Sequence, residues 1–148
     1  MTEAQTTFIE DMGRLMVGWG LPRTTGRVYG YLLLQRGPAT LDDMAATLGI
    51  AKSGASVASR QLAQLGLARA LGQAGSRRVL YEPLDNLGSI ITARSAQMHA
   101  LAATLRQGAR AASGGPGRQR MQSMADWCDE SIKQFQALVR RLDKRRSR

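Results

Sequence analysis

The sequence predicts a mainly α fold with a small β-hairpin: two short helices joined by a tight turn, then the hairpin, with longer helices at both ends. Three observations predict it. Apolar residues recur at spacings of three and four from Glu3 to Trp19, and again across residues 84–105 and 121–142, which is the period of an amphipathic helix. In the middle, a threonine-capped segment, a glycine-containing turn and a second helical segment follow one another closely. Two short extended stretches then flank a glycine-rich tip.

The first helix runs from about Glu3 to Trp19. Phe8, Met12, Leu15 and Trp19 form its apolar stripe, with Ile9 and Met16 flanking, and Gly18, Gly20 and Pro22 end it. Thr24 or Thr25 is expected to cap a second helix, which carries Val28, Leu32 and Leu33 and stops at Gly37-Pro38. Thr40 caps a third, with Asp43 three residues on as its capping-box partner and Leu41, Met44, Ala45 and Leu48 facing inward. The turn Leu48-Gly49-Ile50-Ala51 leads into a fourth helix, which begins at Lys52 or Ser53 and ends at Leu65-Gly66. Two short helices around such a turn read as a helix-turn-helix. Leu67–Leu71 and Arg78–Tyr81 are the hairpin strands, and 72–76 is their tip.

Pro83 is expected to open a long helix whose seam is Leu84, Leu87, Ile91, Arg94, Met98, Leu101 and Leu105. Residues 108–117, GARAASGGPG, read as a linker. A second seam follows: Met121, Met124, Cys128, Ser131, Phe135, Leu138 and Leu142.

Length and composition narrow the function. The 148 residues make about one ordinary domain, and 43% hydrophobic content is that of a globular chain. One cysteine excludes an internal disulfide and fits a reducing, cytoplasmic setting; one histidine and one cysteine cannot build a structural zinc site. No signal peptide is read, and the longest apolar stretch, Tyr31–Leu34, falls far short of the ~20 residues of a membrane span. No paired carboxylates, nucleophile–base pair or phosphate loop stands at usable spacing, so no enzyme, cofactor or metal is expected. The net charge is +10, and residues 111–148 hold nine bases against four acids. A basic chain without chemistry points to double-stranded DNA.

The apolar stripes exceed what one helix-turn-helix can cover, which predicts a two-fold homodimer. In the recognition helix, Lys52–Leu65, periodicity turns Ala55, Ala58, Leu62 and Leu65 inward. Lys52, Ser53, Gly54, Ser56, Val57, Arg60 and Gln61 are left as DNA-binding candidates. Arg60 suits guanine, Gln61 adenine, Val57 a thymine methyl, and the serines phosphate. Arg77 and Arg78 on the hairpin tip suit a narrow minor groove. Met12, Met16, Trp19, Met98, Met124 and Trp127 are candidates for a pocket holding a small lipophilic or cationic effector, the tryptophans by cation–π contact. Cys128, on a seam, is expected to be a buried inert thiol, and His99 to lie one step off the seam. Arg94, a charge within a seam, is expected to pair with Asp126, Asp129 or Glu130 across the dimer.

Residues 39–81 resemble the winged helix-turn-helix of MarR-type bacterial transcription regulators. The resemblance is carried by Leu41-Asp42-Asp43-Met44-Ala45, Leu48-Gly49-Ile50, Leu62-Ala63-Gln64-Leu65-Gly66-Leu67 and Gly75-Ser76-Arg77-Arg78. Phe8–Gly13, Gly20–Arg23 and Gly26–Leu34 are similar to the GbsR-like branch of that group. The resemblance implies a homodimeric repressor whose first and last helices interlock and which many small ligands release from DNA. It also implies that Ser53, Gly54, Ser56, Val57 and Arg60 belong to the recognition helix, and Arg77 and Arg78 to the wing. The chain departs from the pattern at Ser76, where the family wing has an acid. The expected division is a dimerisation helix over 1–22, a winged helix-turn-helix over 23–82 and dimerisation helices over 83–148. The other reading is a winged-helix protein-interaction module with nonspecific nucleic-acid affinity.

Overall fold

In a computed structural model, residues 1–72 and 74–147 are described; Gln73 of the expected hairpin tip and Arg148 of the basic tail lie outside them. The chain forms two compact units, Met1–Asn86 and residues 87–148. The helix expected as a separate segment over 1–22 lies within the first unit, together with the helix-turn-helix.

In the first unit, α1 (Glu3–Gly18) starts at a capping box between Thr2 and Gln5. Its packed face is not the expected one. Ile9, Gly13 and Met16 are buried, whereas Leu15 is 56% and Trp19 42% exposed. The reason is glycine. A Cβ on Gly26 would lie 2.5 Å from the Met12 carbonyl oxygen and 2.8 Å from the Gly13 Cα, so α1 and α2 (Arg23–Leu34) cross almost backbone to backbone. Only the glycine face of α1 fits that approach, and the bulkier stripe turns outward. The cap of α2 also differs: Pro22, extended at φ −61° and ψ 147°, occupies it, while Thr25 lies buried inside the helix and Leu33 is exposed.

The helix-turn-helix follows as α3 (Leu41–Leu48) and α4 (Lys52–Gln64). The Thr40–Asp43 capping box forms as the sequence predicts, and Gly49 takes the left-handed conformation, φ 64°, at the end of α3. The hairpin is β2 (Ala68–Gly72) and β3 (Val79–Pro83), with Ala70 opposite Tyr81. A third strand, β1 (Ala39–Thr40), pairs with β3 through Ala39 and Tyr81, giving the order β1-β3-β2. Two residues are too short to show a strand period, so the sequence did not reveal β1. The result is a mainly α winged helix-turn-helix with flanking helices. Leu32, Met44, Leu62 and Leu67 are fully buried at its centre.

Pro83 closes β3 instead of opening the next helix. The segment after it is held to the first unit, the Leu84 N–H donating to the Leu67 carbonyl at 2.8 Å and the Tyr29 hydroxyl to the Leu84 carbonyl at 2.7 Å.

The second unit is a hairpin of α5 (Gly88–Ala111) and α6 (Pro116–Arg146). The expected linker over 108–117 shrinks to 112–115, turned by Gly114 and Gly115 at positive φ. Gly108 is helical and serves packing: a Cβ there would meet Met121 Sδ at 2.7 Å. Arg118 donates to the Ala109 carbonyl at 2.9 Å and the Ala112 carbonyl at 2.6 Å, satisfying the free end of α5. The core is Ala102, Ala125 and Cys128, with Met98 and Leu105 against it. The expected seams therefore split. Small residues face inward and draw the helices together, while Arg94, Leu101, Met124 and Leu142 point outward, with Trp127 67% and Phe135 52% exposed.

Candidate nucleic-acid interface

The surface of α4 divides by side-chain size. Ala55, Ala58, Ser59 and Leu62 are buried, with Ser59 donating to Met44 Sδ of α3 at 3.3 Å. That packing leaves Lys52, Ser53, Val57 and Arg60 exposed, with Gly54 and Ser56 half-buried. Arg60 lies along its own helix, its Nε donating to the Ser56 carbonyl at 3.4 Å. Gln61 does not face outward as the periodicity predicts. It is half-buried, and its amide oxygen accepts a hydrogen bond from the Thr25 hydroxyl of α2. A buried hydroxyl on α2 needs a partner, and Gln61 supplies it.

The wing brings Arg77 and Arg78 to the same side. Both are exposed, and the Arg78 N–H donates to Ser76 Oγ at 3.1 Å. Ser76 thus fixes the turn through the backbone at the position where an acid was expected. At the wing's base Arg69 pairs with Glu82 directly across β2 and β3. Between the wing tip and the starts of α3 and α4 lies a cleft of ≈ 380 Å³, bordered by Thr40, Asp42, Lys52, Ser76, Arg77 and Arg78. Lys52 Nζ is 3.2 Å from Asp42 Oδ1, an exposed pair that restrains the lysine at the cleft edge. Three cations against one carboxylate leave this cleft positive.

One set of positioning contacts has no signal in the sequence, because it joins helices without a shared period. Arg27 of α2 donates through Nε to Glu10 of α1 at 2.9 Å and through Nη2 to the Leu48 carbonyl of α3 at 3.0 Å. Arg23 also bonds Glu10. The Arg23 hydrogen bond, with Arg27 adding to it, holds the Glu10 carboxyl below the usual carboxylate range against the opposing effect of burial. Through α2, the position of α1 is linked both to the turn after α3 and, by Thr25–Gln61, to α4.

The six residues expected around an effector do not meet as one set. Met98 and Trp127 line a groove of ≈ 280 Å³ between α5 and α6, together with Arg94, Ser131, Ile132 and Phe135. Met124 is exposed on the same hairpin. Met12, Met16 and Trp19 belong to the first unit, where Met16 is buried, Met12 half-buried and Trp19 exposed. Cys128 is buried between α5 and α6, and His99 is exposed. Asp126 and Asp129, expected as partners for Arg94, both pair with Arg106, Asp126 at 3.2 Å. Among the described residues no group of three His, Cys, Asp or Glu side chains forms a metal site, and no helix is long and apolar enough to cross a membrane.

Comparison with known proteins agrees with this architecture. A solved structure described as a transcriptional regulator superposes with a TM-score of 0.79 at 25% identity, over 95% of this chain and 99% of that one. In sequence, the chain is 32% identical over 80 residues to YvaV of Bacillus subtilis, by name an HTH-type transcriptional regulator. It is 30% identical over 79 residues to OpcR of the same organism, by name an HTH-type transcriptional repressor. The matches take in 54% and 53% of this chain but only 45% and 43% of those proteins, so the chain spans less than half the length of either. No family model matches. The relatives and the structural neighbour are transcriptional regulators and not enzymes.

Proposed function

We propose that this protein is a sequence-specific, double-stranded DNA-binding transcriptional regulator of the MarR type, in its GbsR-like branch. It acts in the cytoplasm as a homodimeric repressor on a pseudo-palindromic operator and is released by a small ligand. The observation that carries the reading is the shared cleft: the exposed start of α4 and the wing arginines border one positive concavity. A duplex laid against it receives α4 in the major groove. Arg60 then reaches guanine O6 and N7, Val57 meets a thymine methyl, and Ser53, Gly54 and Ser56 let the backbone approach. Lys52, Arg77 and Arg78 neutralise phosphates or enter the minor groove. Gln61 drops out as a base reader because Thr25 holds it; its role is to set the angle of α4. The dimer reading is supported by the outward apolar stripes of α1, α5 and α6, and a two-fold pair of recognition helices suits half-sites ~10–10.5 base pairs apart.

The test is fluorescence anisotropy with the duplex upstream of the protein's own gene against a scrambled duplex. The native duplex should win by roughly 10³-fold at physiological salt. Arg60→Ala should cost ~1–3 kcal/mol and relax preference at one base pair. The double variant Arg77→Ala, Arg78→Ala should weaken all duplexes and flatten the salt dependence. Equal binding of both duplexes that collapses with salt would replace this reading with the protein-interaction module.

A further inference from the structure

The net charge is not concentrated where the helix-turn-helix is. Residues 87–148 hold twelve bases and four acids, a net of +8 out of the total +10. Within that unit the groove between α5 and α6 is unlike its surroundings. Met98, Trp127, Ile132 and Phe135 make its walls apolar, and its polar side chains without a partner among the described residues are Arg94 and Ser131. The acids on α6 that face the same hairpin are committed elsewhere. Asp126 and Asp129 hold Arg106, and Glu130 accepts a hydrogen bond from the Gln134 amide. A guanidinium therefore stands at the rim of an apolar groove with no counter-ion supplied by its own hairpin.

We infer that this groove is a binding site for a small organic anion, a carboxylate carried on a compact aromatic body. Guanidinium and carboxylate match as planar, two-point partners, and Ser131 offers a further donor. Trp127 and Phe135 take the ring, while Met98 adapts to its outline. A groove of ≈ 280 Å³ is of the size that suits one ring system and not a long chain. The same arginine argues against the cationic effector that the tryptophans alone suggested, since a quaternary ammonium beside Trp127 would face a like charge in a unit already at +8. The inference rests on the proposed function only for its consequence, release of DNA; binding itself does not require it.

The test is isothermal titration calorimetry of the full chain, without DNA, using 2-naphthoate and its neutral amide, 2-naphthamide. The carboxylate should bind at least roughly tenfold more tightly than the amide, the scale of one charge-assisted hydrogen-bonded pair. Arg94→Gln should bring the carboxylate down to the amide's affinity and leave the amide unchanged. Trp127→Ala should weaken both, with circular dichroism checking that each variant is folded. Equal affinities for the two probes, no loss in Arg94→Gln, or no binding of either at millimolar concentration would overturn the inference. A second arm adds 2-naphthoate to the protein–duplex complex. If the carboxylate binds through Arg94 but duplex affinity does not move, the site stands and the ligand-release part of the proposed function falls.

Discussion

The helix-turn-helix unit and the α5–α6 hairpin use large apolar side chains in opposite ways. In the first, Leu32, Met44, Leu62 and Leu67 are fully buried and the exposed face of α4 is mostly small or polar. In the second, alanines and a cysteine fill the interior, and Trp127, Phe135, Leu138 and Leu142 point outward. Alanine burial brings two helices close but removes little apolar area from water, at about 25 cal/mol per Å². The hairpin thus keeps its larger apolar groups available, and a contiguous exposed stripe of this kind marks an interaction surface. The stripe of α1 that Leu15 and Trp19 form is the same device in the first unit, created there by the glycine crossing with α2. The difference teaches that a stripe read from sequence names two things at once: what packs within the chain, and what the chain offers outward.

Two substitutions sharpen this contrast. Leu62→Ala should cost ~2–5 kcal/mol in urea unfolding, because it empties a fully enclosed site. Phe135→Ala removes a larger side chain yet should leave unfolding of the single chain within ~0.5 kcal/mol, as exposed positions do. Its effect should appear in self-association, where truncating a central aromatic costs about 2 kcal/mol, a roughly 30-fold rise in the dimer dissociation constant by sedimentation. If Phe135→Ala lowered stability equally at all protein concentrations and left association unchanged, the stripe would be an internal core and the contrast would be broken.

The parts of the fold legible in the sequence are those with local causes. Thr40–Asp43, Gly49 and Gly66 each mark a helix end by their own chemistry, and each stands where the pattern puts it. The exposed DNA-facing candidates on α4 and the wing followed from the same logic, since Ala55, Ala58 and Leu62 define one face and leave the other. What failed depended on partners distant in sequence. Which stripe of α1 is buried is decided by Gly26 on the next helix, and Gln61 is claimed by Thr25. Pro83 could equally end a strand or begin a helix, and the pairing of Ala68 with Pro83 selects the strand. In the hairpin, a heptad pattern with large residues at every step hid the fact that the neighbouring line of alanines makes the closer contact.

The smallest expected effect concerns the contacts that tie α1 to the helix-turn-helix, and it sharpens the comparison from the other side. Glu10 has its carboxyl held below 4.5 by Arg23 and then Arg27. A lowered carboxylate contributes stability above its unfolded value, and that contribution is lost as pH falls through the folded value. Wild type should therefore exceed Glu10→Gln at pH 7 by no more than about 1 kcal/mol, the ceiling for pairs near the surface, and the two should converge as pH drops below 4.5. Urea unfolding from pH 7 to pH 3 reads this directly, and a gap that stayed constant across the range would mean that charge on Glu10 is not what joins α1 to α2. Arg27 makes the result bear on recognition as well. Its other donor holds the Leu48 carbonyl beside the turn into α4, so Glu10→Gln frees one of its two anchors. Operator affinity should then weaken slightly at pH 7, while 2-naphthoate binding in the hairpin, which shares none of these residues, should not change.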